Sequence, residues 1–175
     1  VFMAMYCPKQ IYRPLKAATE LLAGIPSVVY GFFGLVVVVP LIRDFGQVLK
    51  RAGLVDRSGD GNSILTTSLI LGMMILPTII GTTESAMRAV PEHYYEGSLA
   101  LGATKERSIF RVIIPAAKSG VVAGIVLGIG RAIGETMAVI MIVGNQPRFA
   151  ESILQGIRTL TGNIVLEMGY ATDLH

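Results

Sequence analysis

Three long stretches almost free of charge constrain this chain more than any other feature of its sequence. Residues 21–42 hold no acidic or basic side chain between Glu20 and Arg43, and residues 61–83 hold none between Asp60 and Glu84. Residues 119–147 carry only Arg131 and Glu135. A helix needs roughly 20 mostly apolar residues to cross about 30 Å of hydrocarbon. One such stretch could be a buried core helix. Three in 175 residues predict an all-α fold, a polytopic membrane helical bundle. Composition agrees: 52% of residues are hydrophobic and 15% charged, against about 25% charged in soluble domains.

Other classes are disfavoured by what the chain carries. No basic run is long enough to point to nucleic acid. Cys7 is a single cysteine, and His93 and His175 lie far apart, so no disulfide or metal site is expected. The outer turn Asp56-Arg57-Ser58-Gly59-Asp60-Gly61-Asn62 has the Asp/Gly spacing of a calcium loop but not its later glutamate, and reads as a solvated turn. Val1 to Cys7 is apolar without a basic leader; it suits the end of an earlier span better than a signal peptide.

Pro26, Pro40 and Pro77 fall in or beside the first two stretches, and bundles tolerate such prolines because neighbours satisfy the freed carbonyls. Gly24-Ile25-Pro26-Ser27 suits a broken start. Lys and Arg number three in residues 1–20 and five in 84–118, against four in 43–60 and two in 148–175. That bias places the first pair of segments on the cytoplasmic side.

The loop 84–118 is the longest polar stretch. Pro91 suits the first position of a helix, and Gly102 suits the left-handed residue that ends one. Thr104 suits the cap of a second helix, with Glu106 in its first turn, and Pro115 marks a break before the third stretch. Two short helices bent at a glycine make a knob that fits a cleft, or else an ordinary connection.

Here the sequence resembles the permeases of ATP-driven (ABC) importers. Their cytoplasmic loop reads E-A-A, three residues, G, nine residues, I-x-L-P. This chain has Glu96-Gly97-Ser98, then Gly102, then Val112-Ile113-Ile114-Pro115 at the same spacing. The resemblance implies that Glu96, Gly97, Ser98, Gly102 and Pro115 belong to a surface that docks on a separate ATPase. The resemblance also implies that the chain itself is non-catalytic, and consistently no phosphate-binding G-x-x-x-x-G-K-[ST] run occurs. No cofactor is expected, ATP being bound by the partner.

Arg131 and Glu135 sit near the middle of the third stretch. An intramembrane charge costs about 2.5–3.5 kcal/mol on insertion scales, so such residues face the bundle interior. Spaced i, i+4 on one continuous helix, they could pair. The same face holds Gly120, Gly124 and Gly128, small residues that admit a neighbouring helix. Arg131 then reads as the attracting group of an anion path, since guanidinium is always charged and donates in a planar fork. Glu135 would hold it in place, Thr136 could donate nearby or bond back to its own helix, and the alternative is a structural ion pair.

Arg131-Ala132-Ile133-Gly134-Glu135-Thr136-Met137-Ala138-Val139 is similar to the signature of phosphate-specific permeases of the C-type. Glu20-Leu21-Leu22-Ala23-Gly24-Ile25-Pro26-Ser27-Val28-Val29-Tyr30-Gly31 and Thr159-Leu160-Thr161-Gly162-Asn163-Ile164 resemble the same group. The resemblance implies a MetI-like importer fold with six spans, three of them present here. It implies a bacterial or archaeal inner membrane. It also implies four partners: an A-type second permease, an ATP-binding subunit dimer, an extracytoplasmic phosphate-binding protein and membrane lipid. Sulfate or molybdate is the nearest alternative cargo, and a passive anion channel the nearest alternative mechanism. Gly128-Ile129-Gly130 with Gly134 misses the dinucleotide spacing by one. An intramembrane enzyme would need a nucleophile and base that the three stretches do not provide.

Overall fold

The prolines decide where the helices begin, widen and stop. In the computed structural model, which describes residues 1–53 and 59–170, α1 runs Lys9–Gly24. The chain then breaks at Ile25, as a residue before proline disfavours the helical region, and Pro26 is extended at φ −60°, ψ 143°. From there α2 runs Ser27–Arg51 as one 25-residue helix. Pro40 does not interrupt α2, because the preceding turn is widened: Val39 N–H donates to the carbonyl of Gly34, five residues back. The same widening precedes Pro115, where Ile114 donates to Ile109, and Pro8, where Cys7 donates to Phe2 at 2.9 Å. A proline ring crowds the carbonyl four residues before it, and a wide turn makes the room.

Five of the remaining helices follow in order: α3 Ile64–Arg88, α4 Glu92–Ala100, α5 Lys105–Ala116, α6 Lys118–Gly134 and α7 Met137–Ile142. The last, α8, is Leu160–Glu167. The helix bounds differ from those of the three apolar stretches. The helix over the first stretch, 21–42, is Ser27–Arg51, and the helix over the second, 61–83, is Ile64–Arg88; both are long and apolar enough to cross a membrane. Helical hydrogen bonding continues past the apolar run wherever caps allow, so hydropathy marks membrane depth and not helix length. The third, expected over 119–147, breaks after Gly134. At 17 residues α6 is about 26 Å long, and it meets the length and composition of a span only together with α5, from which it bends by 68°. Pro91 stands just before α4 as its cap residue, extended at ψ 136°, and not as its first residue.

The described chain forms two compact units. In the unit of Ile25–Met74 and Ala132–His175, α2 packs on α7. Its core is Tyr30, Val38, Val39, Ile70, Met74, Ala138 and Ile142. Gly31 permits the approach, since a Cβ there would lie 2.9 Å from the Cα of Ala138. Ser63 caps α3 by accepting the Thr66 amide at 3.2 Å, and Thr159 caps α8 by accepting that of Gly162 at 3.2 Å. The first half of the outer turn, Asp56-Arg57-Ser58, and His175 lie outside the described residues. The other unit, Val1–Gly24 and Ile75–Arg131, contains Arg131, the glycine face of α6 and the α4–α5 knob.

Candidate functional site

Arg131 lies in the last turn of α6, on a helix whose packing face is made of glycines. Along that face Gly120 meets Ala86, Gly124 meets Thr82 and Gly128 meets Ile79. The partners descend α3 as the glycines ascend α6, so the two helices run antiparallel at backbone-limited distance. A Cβ at Gly124 would lie 3.1 Å from Thr82, and one at Gly128 2.7 Å from Ile79. One turn beyond Gly128, the Arg131 guanidinium Nη1 donates to Thr78 Oγ1 at 3.3 Å. Arg131 is half-buried and, among the described residues, enters no ion pair.

Arg131 and Glu135 do not share one continuous helix, because the helix that carries Arg131 ends at Gly134. Glu135 turns to the next helix instead: its Oε1 accepts the Ala138 amide at 3.1 Å. A carboxylate at a helix N-terminus satisfies an otherwise unbonded amide and meets the positive end of the helix dipole. Gly134 has little helix preference, and a carboxylate able to start a new helix follows it, so the chain breaks there. Thr136 Oγ1 donates to the Gly134 carbonyl at a long 3.4 Å, within the break.

A polar cluster that sequence reading passed over lies at the other end of α3. Glu84 is 4% exposed, and three donors converge on it. Tyr12 Oη donates to Oε1 at 2.6 Å, Arg88 Nε to Oε1 at 2.9 Å, and Lys16 Nζ to Oε2 at 3.2 Å. Arg88 also donates to the Met3 carbonyl at 3.3 Å and lies 4.9 Å from the Tyr12 ring centre. The hydrogen bond it donates to Glu84 holds the Lys16 ammonium above its ordinary range. The Glu84–Arg88 spacing of four was a visible signal; the two partners on α1, about 70 residues earlier, were not.

Beyond Arg88 the chain enters the knob. The end of α4 is doubly closed: Gly102 N–H donates to Leu99 at 2.9 Å and Ala103 N–H to Ser98 at 3.2 Å. This closure needs a left-handed residue, and Gly102 has φ +83°. Thr104 then accepts the Arg107 amide at 3.3 Å and starts α5. Ile109, Ile113 and Ala117 bury against Met87 on α3, which seats the knob. Glu96 and Gly97 are exposed, Ser98 bonds back to the Tyr95 carbonyl at 2.8 Å, and Pro115 sits exposed in α5 behind its widened turn. Leu101, in the turn between α4 and α5, is 91% exposed, and Phe110 and Tyr94 are exposed as well.

Gly102→Val is expected to open this closure. A left-handed conformation costs a non-glycine residue about 1–2 kcal/mol, more for a β-branched one. Amide exchange at positions 102 and 103 should rise about tenfold or more, with Gly102→Ala between the two. Unchanged exchange in the valine variant would mean the turn does not depend on glycine.

A family model described as binding-protein-dependent transport system inner membrane component matches residues 1–171. The chain is similar to a probable ABC transporter permease protein, YqgH, of Bacillus subtilis, 42% identical over 98% of this chain and 52% of the relative. It is similar to the phosphate transport system permease protein PstC of Mesorhizobium japonicum, 36% identical over 100% of this chain and 57% of that protein. The PstC of Xylella fastidiosa is 34% identical over 99% and 56%. The chain thus spans about half the length of these curated relatives. No solved structure matches it.

Proposed function

This chain belongs to the family of binding-protein-dependent transport system inner membrane components, and on that premise we propose that it is part of the permease subunit of an ATP-driven phosphate importer. It is a multi-pass membrane protein with the helical fold of that family. The observation that carries the proposal is the state of Arg131. At intramembrane depth its guanidinium is bonded to one neutral hydroxyl, Thr78, and to no carboxylate among the described residues. Its charge and remaining donors are therefore free for an oxyanion, which a planar fork receives well. The relatives' names support phosphate as that oxyanion.

The other parts of the reading follow from the knob. Its exposed Leu101, with Glu96 and Gly97 on α4, suits a cleft on a separate ATPase, whose closure would be passed to α3 through Met87 and its neighbours. The permease then performs no covalent chemistry. A second permease, an ATPase dimer and an extracytoplasmic binding protein complete the machine, in an inner membrane. Phosphate delivered from outside would be drawn to Arg131 in one state and released as the subunits reorient. Glu135, which accepts the Ala138 amide, starts α7 just after the end of the helix that carries Arg131.

The test is ATP-driven uptake of labelled phosphate by the full-length protein reconstituted with its partners. Charge-assisted hydrogen bonds contribute about 1.5–3 kcal/mol, so Arg131→Gln should lower uptake roughly 10- to 100-fold with the complex still assembled. Normal uptake in that variant would reduce Arg131 to a packing residue. Sulfate uptake by the wild type would replace phosphate as the cargo.

A further inference from the structure

The helix α1 is amphipathic in a way that its contacts sort by face. Stepping about 100° per residue, Ile11, Pro14, Leu15, Ala18 and Leu21 fall on one arc about 120° wide, the width of an apolar stripe. All five are exposed; Leu21 is 73% exposed and Ile11 49%. Lys9, Arg13 and Glu20 occupy the opposite arc. Between the two lie Tyr12 and Lys16, the pair that bonds Glu84. The helix is therefore fixed by one flank, with its apolar stripe turned outward and its cations on the far side.

The place of attachment fixes the depth. Glu84 is the first charge after the apolar run of α3, so it marks the level where hydrocarbon gives way to headgroups. A helix bonded to Glu84 by two side chains lies at that level, on the same end of α3 as the knob. Neither length nor composition makes α1 a span. A charge balance of three cations, Lys9, Arg13 and Lys16, against Glu20 alone complements an anionic leaflet. Lys9 and Arg13 enter no ion pair among the described residues, and their long stems let the charged heads reach the headgroup layer.

From this depth, face pattern and charge, we infer that α1 is an interfacial helix. Its stripe of Ile11, Leu15 and Leu21 lies in the headgroup–acyl boundary of the leaflet on the knob side, and anionic lipid is its partner. The Glu84 cluster is the clamp that sets its rotation. Helices of this kind bury their apolar face about 5–10 Å below the headgroups.

The experiment places a nitroxide on single cysteines at Leu15 and at Arg13. It uses full-length protein with its native cysteines replaced, including Cys7→Ser, in vesicles of phosphatidylethanolamine and phosphatidylglycerol. Collision with oxygen, which dissolves in lipid, is compared with collision with a water-soluble nickel chelate. The label at Leu15 should read a several-fold higher oxygen-to-nickel ratio than that at Arg13, and the ratio should fall when phosphatidylcholine replaces the anionic lipid. A Leu15 label open to nickel would put the stripe in water. One closed to both probes would show a protein partner covering it. A ratio indifferent to phosphatidylglycerol would remove anionic lipid as the partner. Each of these results overturns the inference, and none depends on phosphate or ATP, so it can fail while the transport reading stands.

Discussion

Gly120→Leu is expected to leave the full-length protein unable to hold its folded state in detergent at temperatures where the parent is intact. A Cβ at position 120 would already overlap Ala86 of α3, and the clash is with a methyl fixed to backbone, not with the free end of a long side chain. The helices must separate to admit it. Overpacking in a soluble core costs about 1–3 kcal/mol. Here separation also loosens the contacts at Gly124 and Gly128, and lipid supplies no hydrophobic force to restore them. Gly130→Leu is the matched control: it adds the same side chain to the same helix, where a Cβ meets nothing within 4 Å. The midpoint of thermal unfolding should fall by many degrees for the first variant and stay near the parent for the second. Equal midpoints would show that α3 and α6 do not depend on contact at position 120.

Replacement of Glu84 by alanine should have the second-largest effect. It removes the acceptor shared by Tyr12, Lys16 and Arg88. Loss of hydrogen bonds to a charged group costs about 1.5–3 kcal/mol each, but they do not add. Lys16 and Arg88 are 33% and 50% exposed in their side chains, so both cations can turn to water, which limits the total to about 2–3 kcal/mol. The loss should be local: α1 comes away from α3, and trypsin cleaves after Lys9 and Lys16 much sooner than in the parent, while α2 and α7 remain protected. Lys16→Gln should cost far less, about 0.5 kcal/mol, as a half-exposed ion pair does. Trypsin sensitivity no different from the parent's would show that α1 is held by something other than Glu84.

The pH dependence of this clamp has a definite sign. Lys16 is held above its ordinary value of 10.5 by its hydrogen bond to Glu84. A cation with a raised folded-state pKa adds stability that is fully present below the ordinary value and is lost as pH rises through the folded-state value. Protection of α1 should therefore be flat from neutrality to near pH 10 and weaken above it. Weakening already between pH 7 and 9 would count against Lys16 as the titrating partner.

Helical class and the turn and cap of the knob were legible in the residues themselves. Uninterrupted apolar runs can only be satisfied in lipid by helices, because every backbone group must bond within its own segment. Gly102 and Thr104 likewise announce their turn and cap through local backbone chemistry, and those two residues take φ +83° and an N-terminal cap bond. Such features depend on a few neighbouring residues, which is why spacing in one dimension is enough to read them.

What only the tertiary structure decided involves residues far apart in the chain or competition between two local options. Arg131 and Glu135 have the spacing of a pair on a continuous helix, yet Glu135 takes the Ala138 amide at the start of α7, and the helix ends between them. Glu84 reads in sequence as the first charge past a span; its burial follows from Tyr12 and Lys16, which the fold returns from about 70 residues earlier. Helical periodicity placed Gly120, Gly124 and Gly128 on one face but could not say that Ala86, Thr82 and Ile79 would meet them. The physical reason is the range of the interactions. Hydropathy, capping and backbone conformation act within a turn or two, whereas the partner of a buried charge or a helix face is chosen by packing over the whole chain.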